Sequence, residues 1–482
     1  LLGGDAKPVV EKLVELLQDR DEAVRTAAAD AVAAAGPLNG DSTTKLAAGL
    51  ASADNVVRAQ TAEALGNVGA AAEHAAPPLV EALDDHNDVV RAKAVEALGK
   101  IGETAAPVAV PGLVKALRDA DSWVSALAAE ALGEMGDGAG ESVVTALVHA
   151  LRHVNPQVRA NAAEALGKLG PAAAWARSAV ERAAADEDGP VRAAAVRALG
   201  GLCEPTPSTL ALVRNAIRDA DPLVRAAAAA AVGSWDRPGD EVLNDLLPLL
   251  RDANDDVKVQ VASVLPRLAG ATGPVIDGLC QMLAEDDSAL VQGCAAIALA
   301  RLGPVALAAG PTLLRAAKTG EAGVREQAVR ALVMIQPPEA IEGFTAGLID
   351  PSGDVRVVAS AGWIKAATVP PDAAPALVEA LRDPEPQVRA NVAFALSRLD
   401  ELPPAAVPLL VECASDPNDG LRLNAAVALQ LAPPDEVADL MDHLLDDPNV
   451  RIRLVAARAV LTRSPGNERG VAVVTAASAD PS

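Results

Sequence analysis

His149 and His153 stand four residues apart, one helical turn, the spacing at which two imidazoles can share a metal ion. No cysteine or second carboxylate cluster joins them in sequence, and His74, His86 and His443 are scattered. No metal site is expected. The four cysteines, Cys203, Cys280, Cys294 and Cys413, form no Cys-x-x-Cys pair. Each sits in a helical pattern and reads as a small buried hydrophobe, so no disulfide framework is implied. A glycine-rich phosphate loop and a Gly-x-Ser-x-Gly elbow are both missing. The expectation is a chain with no catalytic residues and no cofactor, not an enzyme.

The polar residues that do recur are an acid and a base six positions apart. Asp is found at 19, 85, 119, 186, 219, 252, 286, 350, 383, 416 and 447. A base is found at Arg25, Arg58, Arg91, Arg159, Arg192, Arg225, Lys258, Arg325, Arg356, Arg389, Arg422 and Arg453. Such a set could be a charged binding stripe. A binding site is local, whereas this pattern runs through the chain. It therefore reads as a structural ladder tying each turn to the next repeat, a role suited to the fixed donor fork of Arg.

What positions these residues is a phrase repeated fourteen times. It begins at Val24, Val57, Val90, Val124, Val158, Val191, Val224, Val257, Val291, Val324, Val355, Val388, Leu421 and Ile452, mostly 33 or 34 residues apart. A fixed period of this size signals a stack of small units. Three residues before the opening Val lies Asp, Asn or Ser in every repeat except those with Glu321 and Glu385, a helix N-cap. Small residues follow at four, five and seven places and Leu at eight, as in Ala162, Ala163, Ala165 and Leu166, giving one apolar face. Gly99 and Gly102, like Gly167 and Gly170, read as helix terminators. The preceding stretch, with Leu113 and Leu117 on one face and Pro111 near its start, reads as a first helix. Each unit is thus two antiparallel helices.

Half the chain is hydrophobic, yet only 1% is aromatic and Tyr is absent, so the apolar residues are mainly Ala, Val and Leu. That suits thin, closely packed helices. The formal charge of −24 argues against nucleic acid as a partner. No run of about 18 uncharged apolar residues occurs, so no membrane span is expected.

The Asp-containing turn, the Val-Arg pair, the alanine-rich helix and the paired glycines resemble HEAT repeats, in the short form called PBS-lyase HEAT-like. The resemblance covers essentially the whole chain. Ankyrin repeats share the period, but their Thr-Pro-Leu-His phrase is missing, and tetratricopeptide repeats need Tyr. The resemblance implies an all-α, right-handed α-solenoid of about fourteen antiparallel helix pairs, with second helices on the concave side. Deoxyhypusine hydroxylase, a HEAT-like iron enzyme, binds its metal through His-Glu dipeptides, and none occurs here. The bilin lyases are the other enzymatic relatives; the repeat alone does not carry their activity.

One array over residues 1–482 is expected, regular over 5–235 and diverged over 240–482. Leu1-Leu2-Gly3 reads as the tail of a preceding second helix, and Gly470 to Ala479 as a first helix without its partner, so the expectation is an array that continues beyond both ends or a piece cut from a longer protein. The glycine nine places after Val in the first repeats gives way to Pro266, Ala300, Val333, Ile364, Ser397, Gln430 and Leu461. Pro266 is expected to end or bend its helix, and Gly362 to make room for a buried Trp363. Six places after Val, Asp30, Glu63, Glu96, Glu130 and Glu164 give way to Ile297, Arg330, Phe394, Val427 and Arg458; ten places on lie Arg301, Met334, Lys365 and Arg398. Apolar anchors beside Arg suit a binding hot spot. The expected partner surface is Ile297, Arg301, Arg330, Met334, Lys365, Phe394, Arg398 and Val427, facing an acidic protein or peptide with apolar anchors. The expected function is a non-catalytic cytoplasmic scaffold binding its partner on the concave face. Alternatives are a subunit of an enzyme or lyase-like cofactor-handling complex, and a structural array that self-associates.

Overall fold

The computed structural model describes residues 40–136, 140–202, 204–236, 239–268 and 273–479, with isolated positions between 12 and 31. Among the described residues every regular element is helical. The chain divides into two compact units, Leu1–Val264 and Leu265–Ser482. Cys203 and Leu1 to Gly3 lie outside the described residues.

The hairpin of the first unit is clear in one example. A 3-10 turn, Gly102–Ala105, leads into a first helix, Ala106–Ala116, and the second helix is Ser122–Gly133. Leu113 and Leu117 are both buried. Pro107 occupies the first turn, where an N–H has no internal partner. Pro111 lies inside the helix and not at its start, because the 3-10 turn lets helix begin earlier than the apolar pattern suggests. The Asp121 carboxylate accepts the N–H groups of Trp123 and Val124 and caps the second helix. Asp54, Asn87, Asn155, Asp188 and Asp221 cap in the same way.

In the first unit the second helices from Asn55–Val68 to Pro222–Gly233 pack in sequence, each on the next. Ala162, Ala163, Ala165 and Leu166 are buried at this seam. Gly99 and Gly167 do not terminate their helices, which run Asp88–Ile101 and Pro156–Leu169. Their role is contact. A Cβ added at Gly167 would lie 2.8 Å from Ala198 Cα, and one at Gly66 would lie 2.8 Å from Ala97 Cα. Helix ends are set three residues later, at Gly102 with φ 72° and ψ −143°, a conformation closed to residues with a Cβ.

The ladder follows one rule. Arg91 donates through Nη1 to Asp85 O of its own turn at 2.9 Å, and through Nε and Nη2 to both oxygens of Asp119 in the next turn at 2.8 Å. Asp119 also accepts the N–H of Asp121, the cap residue. Arg58–Asp85, Arg159–Asp186, Arg192–Asp219 and Arg225–Asp252 repeat the arrangement. Where the next turn lacks Asp, the Arg is gone or redirected. Ser125 precedes the turn with His153, and Arg25, which precedes the turn with Ser52, bonds Gln60 instead.

In the second unit the same hairpins and rungs persist, with Arg325–Asp350, Arg356–Asp383, Arg389–Asp416 and Arg422–Asp447. The helix ends differ. Ala322–Ile335 closes on Gln336, left-handed at φ 56°. Ser288 and Ser352 sit at N-cap positions but make no side-chain cap bond. Trp363 is fully buried and meets Phe344 edge-on, centroids 6.0 Å apart. Gly362 makes room for Phe344, not for Trp363: an added Cβ would lie 2.7 Å from the Phe344 ring. The stretch that reads as a lone first helix, Gly470 to Ala479, belongs to a helix Glu468–Ala479. Pro266 lies within the helix Asp255–Leu268 and does not cut it short. The stretch Ala289–Thr319 has the hydropathy of a membrane span, but Gly303, at φ 61°, breaks it into separate helices.

Candidate functional site

The candidate surface is the row of exposed positions on consecutive second helices of the second unit. These helices are Ala289–Leu302, Ala322–Ile335, Gly353–Lys365, Pro386–Leu396, Asp419–Ala428 and Val450–Arg463. Each packs on the next, so equivalent positions form a continuous stripe. Ile297, Arg301, Arg330, Met334 and Lys365 are exposed, whereas Phe394, Arg398 and Val427 are half-buried. The Lys365 ammonium lies 3.6 Å from Met334 Sδ, so these two side chains meet. Arg330 is held by Glu326 one turn earlier on its own helix.

Arg398 has a structural task that its offset in the repeat does not suggest. It donates to the carbonyls of Trp363, Ile364, Ala366 and Ala367, at 3.2, 3.4, 2.7 and 2.9 Å. These carbonyls close the helix Gly353–Lys365, which has no terminal glycine. A side chain from the next repeat thus does what Gly102 does in the first unit. A signal does exist in the sequence: a repeat with Ile364 and Ala367 at the two glycine positions needs an external cap.

Other residues of this stripe were missed. Ile364, Leu431 and Leu454 are exposed on it, bringing apolar area beside Met334 and Ile297. A pocket of about 190 Å³ opens near its far end, floored by Leu429, Val437 and Met441 with Arg458 at the rim. Part of its floor comes from a first helix, so inspection of second-helix positions alone does not reveal it.

The corresponding stripe of the first unit is internally satisfied. Lys93 bridges Glu63 of the preceding repeat and Glu96 of its own, both at 3.0 Å, and Lys168 reaches Glu134 at 2.6 Å. Lys100 donates to Asn67. The stripe is therefore not simply acidic: a Lys ten or three places along offsets the Glu row. One residue departs from this polar character. Trp123 is 60% exposed beside Leu127, in a groove shared with Glu96 and Glu130.

Burial pushes the thiols of Cys280, Cys294 and Cys413 up, away from the reactive thiolate. Nearby Arg301 only partly offsets this at Cys294. His149 and His153 do not converge: His149 is exposed, and His153 Nδ1 accepts the N–H of Asn155 at 3.1 Å. That is the bond an Asp makes in other turns. Among the described residues no group of three His, Cys, Asp or Glu is placed to hold a metal ion.

A family model described as HEAT repeats matches residues 43–133, 110–177, 176–266, 276–362, 348–430 and 374–461. No curated protein matches the sequence. Among solved structures, one from the Kap95:Nup1 complex aligns over 98% of this chain and 76% of its own, at 12% identity and a TM-score of 0.61. Kap95p bound to RanGDP aligns over 98% and 82%, at 12% identity and a TM-score of 0.55. Importin beta aligns over 97% and 70%, at 16% identity and a TM-score of 0.51. At such identities the likeness is one of fold, an α-solenoid. The family matches cover most of the sequence, and the chain belongs to the HEAT-repeat family.

Proposed function

We propose that this chain is a non-catalytic scaffold that holds a protein or peptide against the second-helix stripe of its second unit. One observation carries the reading. In a chain of net charge −24, this stripe presents Arg301, Arg330, Lys365 and Arg458 beside exposed Ile297, Met334 and Ile364. Cationic groups interleaved with apolar side chains suit an acidic partner with apolar anchors. The fold likeness to Kap95, seen in complexes with Nup1 and RanGDP, is compatible with protein binding. Arg398 serves the stripe as a cap and lies outside the contact set.

The test is a paired crosslinking pull-down from the native source, using wild type and a Met334→Glu, Lys365→Glu variant. Both positions are exposed, so the variant should melt within a degree or two of wild type. The expected result is a partner retained by wild type and lost by the variant, with wild-type capture weakening as salt rises. Partner capture unaffected by the variant, but abolished by Trp123→Ala in the first unit, would overturn this assignment.

A further inference from the structure

The pocket at Met441 joins an apolar floor to a polar rim, and its origin lies in the sequence. In the first unit a glycine nine places after Val lets the next helix close in. Here that position is Gln430, whose Nε2 donates to Val455 O on the next second helix at 3.2 Å. The helix Asp419–Ala428 loosens into a 3-10 turn, Leu429–Leu431, and Ala432 is extended before Pro433 and Pro434. A propped seam and a shortened helix leave a gap that Leu429, Val437 and Met441 line from below.

The lining has a chemical bias. Acids outnumber bases 65 to 41 in the chain, yet the wall includes Arg458 and Arg463 and no carboxylate. Arg463 is held by Asp442 at 3.1 Å. Arg458 is exposed and makes no ion pair among the described residues. The volume of about 190 Å³ exceeds the roughly 150 Å³ that suffices for a benzene ring. Room for one large apolar side chain, with one uncommitted guanidinium at the rim, defines a two-part recognition element.

We propose that this pocket seats a large aliphatic residue of a peptide partner, with an Asp or Glu immediately following it in contact with Arg458. This rests on the scaffold reading above and names where one apolar anchor lands. Thr462 on the rim donates its hydroxyl to Arg458 O at 2.8 Å, which leaves its oxygen able to accept a peptide N–H. A basic neighbour would face Arg458 and be rejected.

The four methionines make the test direct. With methyl-labelled Met in the full chain, Met441 reports on the pocket and Met334 on the stripe, while Met135 and Met282 are buried controls. The probe is acetyl-Leu-Glu-amide, compared with acetyl-Leu-Lys-amide. The expected result is a saturable shift of the Met441 methyl in the millimolar range with the acidic probe alone. Arg458→Glu, a surface change, should reverse the preference. Ala459→Leu should fill the gap and silence Met441 for both probes. No Met441 shift up to about 20 mM acidic probe, a generous limit for a ligand of this size, overturns the proposal. Equal shifts with both probes overturn it too. If Met441 stays silent while Met334→Glu, Lys365→Glu still loses the partner, the pocket assignment fails and the scaffold reading stands. If Met441 responds while the partner is indifferent to the stripe variant, the pocket stands and the scaffold reading fails.

Discussion

Each Arg of the ladder does two jobs at once. In a complete rung such as that of Arg192, Nη1 satisfies a carbonyl of its own turn, and Nε and Nη2 reach the Asp of the next. Neither half explains why Asp and Arg disappear together, but the pair does. Ser125 stands where an Arg would be, and His153 where its Asp would be. Ser125 keeps only the local bonds, to Asp119 O and Asp121 O, and His153 keeps only the turn bond to Asn155. At the repeat with Gln292 the next turn has Thr319, and Gln292 likewise keeps the bond to its own turn, Asp286 O. The double variant Ser125→Arg, His153→Asp should therefore install a rung. Ser125→Arg alone introduces an unpaired, largely buried guanidinium and should destabilise. Chemical denaturation of the four proteins of the cycle should give a favourable coupling of about 1–3 kcal/mol, the range for charge-assisted hydrogen bonds. Coupling near zero would mean that the rungs register the turns without stabilising them. The rungs join partners 25 to 28 residues apart, as the ladder read from the sequence expects, but the division of labour within each Arg was hidden. Periodicity predicts a ladder that ties each turn to the next repeat, but not which guanidinium nitrogens serve the Asp and which the local carbonyl.

At the scale of the helix, the two glycines of the repeat are different instruments. Gly170, at φ 55°, sets a chain reversal; Gly167 sets the distance between neighbours. Both look alike in sequence, and helix-end chemistry claims both, because inter-helix distance leaves no local signature. Substitution separates them from a glycine with neither task. Gly167→Ala gains up to about 1 kcal/mol of helix propensity but puts a methyl 2.8 Å from Ala198 Cα, a backbone atom. Overpacking of this kind costs about 1–3 kcal/mol, so a net loss of stability is expected. Gly293, inside Ala289–Leu302, has nothing within 4 Å of an added Cβ. Gly293→Ala should therefore stabilise, by up to about 1 kcal/mol. Thermal melts of the two variants should move in opposite directions; both rising would show that the seam relaxes freely. In the second unit the seam glycine is absent, and the consequences were only partly readable. That Gly at 102 caps a helix follows from its type. That Arg398 caps Gly353–Lys365 from the next repeat depends on a third-dimensional neighbour, and it makes Arg398 a residue whose loss would act through stability. Phe394 and Val427 stand out as anchors by offset, but the packing of neighbouring helices half covers both.

Over the whole molecule the rungs act together, and acid is the lever. Burial pushes the carboxyls of Asp85, Asp119, Asp186, Asp252, Asp350 and Asp447 up. The paired guanidinium and the backbone N–H two residues on outweigh that push and hold each below the usual carboxylate range. At Asp219 the hydrogen bond from Arg192 is the largest influence, and at Asp416 it is the N–H of Asn418. A carboxylate whose folded value is depressed contributes stability fully above its unfolded value, about 3.9 for Asp. That contribution is lost as pH falls through the folded value. Between pH 7 and about 5 the rungs stay ionised, while the net charge of −24 shrinks as exposed acids begin to titrate, relieving self-repulsion. Stability should hold or rise slightly over that range. Below about pH 4 the unfolded chain takes up protons that the folded rungs refuse, and the midpoint of thermal unfolding should fall with each further step. Because each repeat leans only on its neighbours, many similar rungs weakening over one interval should bring the loss on within a narrow pH span. Melts followed by circular dichroism from pH 7.5 to 2.5 test this. A midpoint already falling between pH 7 and 5.5 would mean that groups outside the ladder govern stability. A flat profile down to pH 2.5 would mean that the rungs hold their geometry without contributing to the balance between folded and unfolded chain.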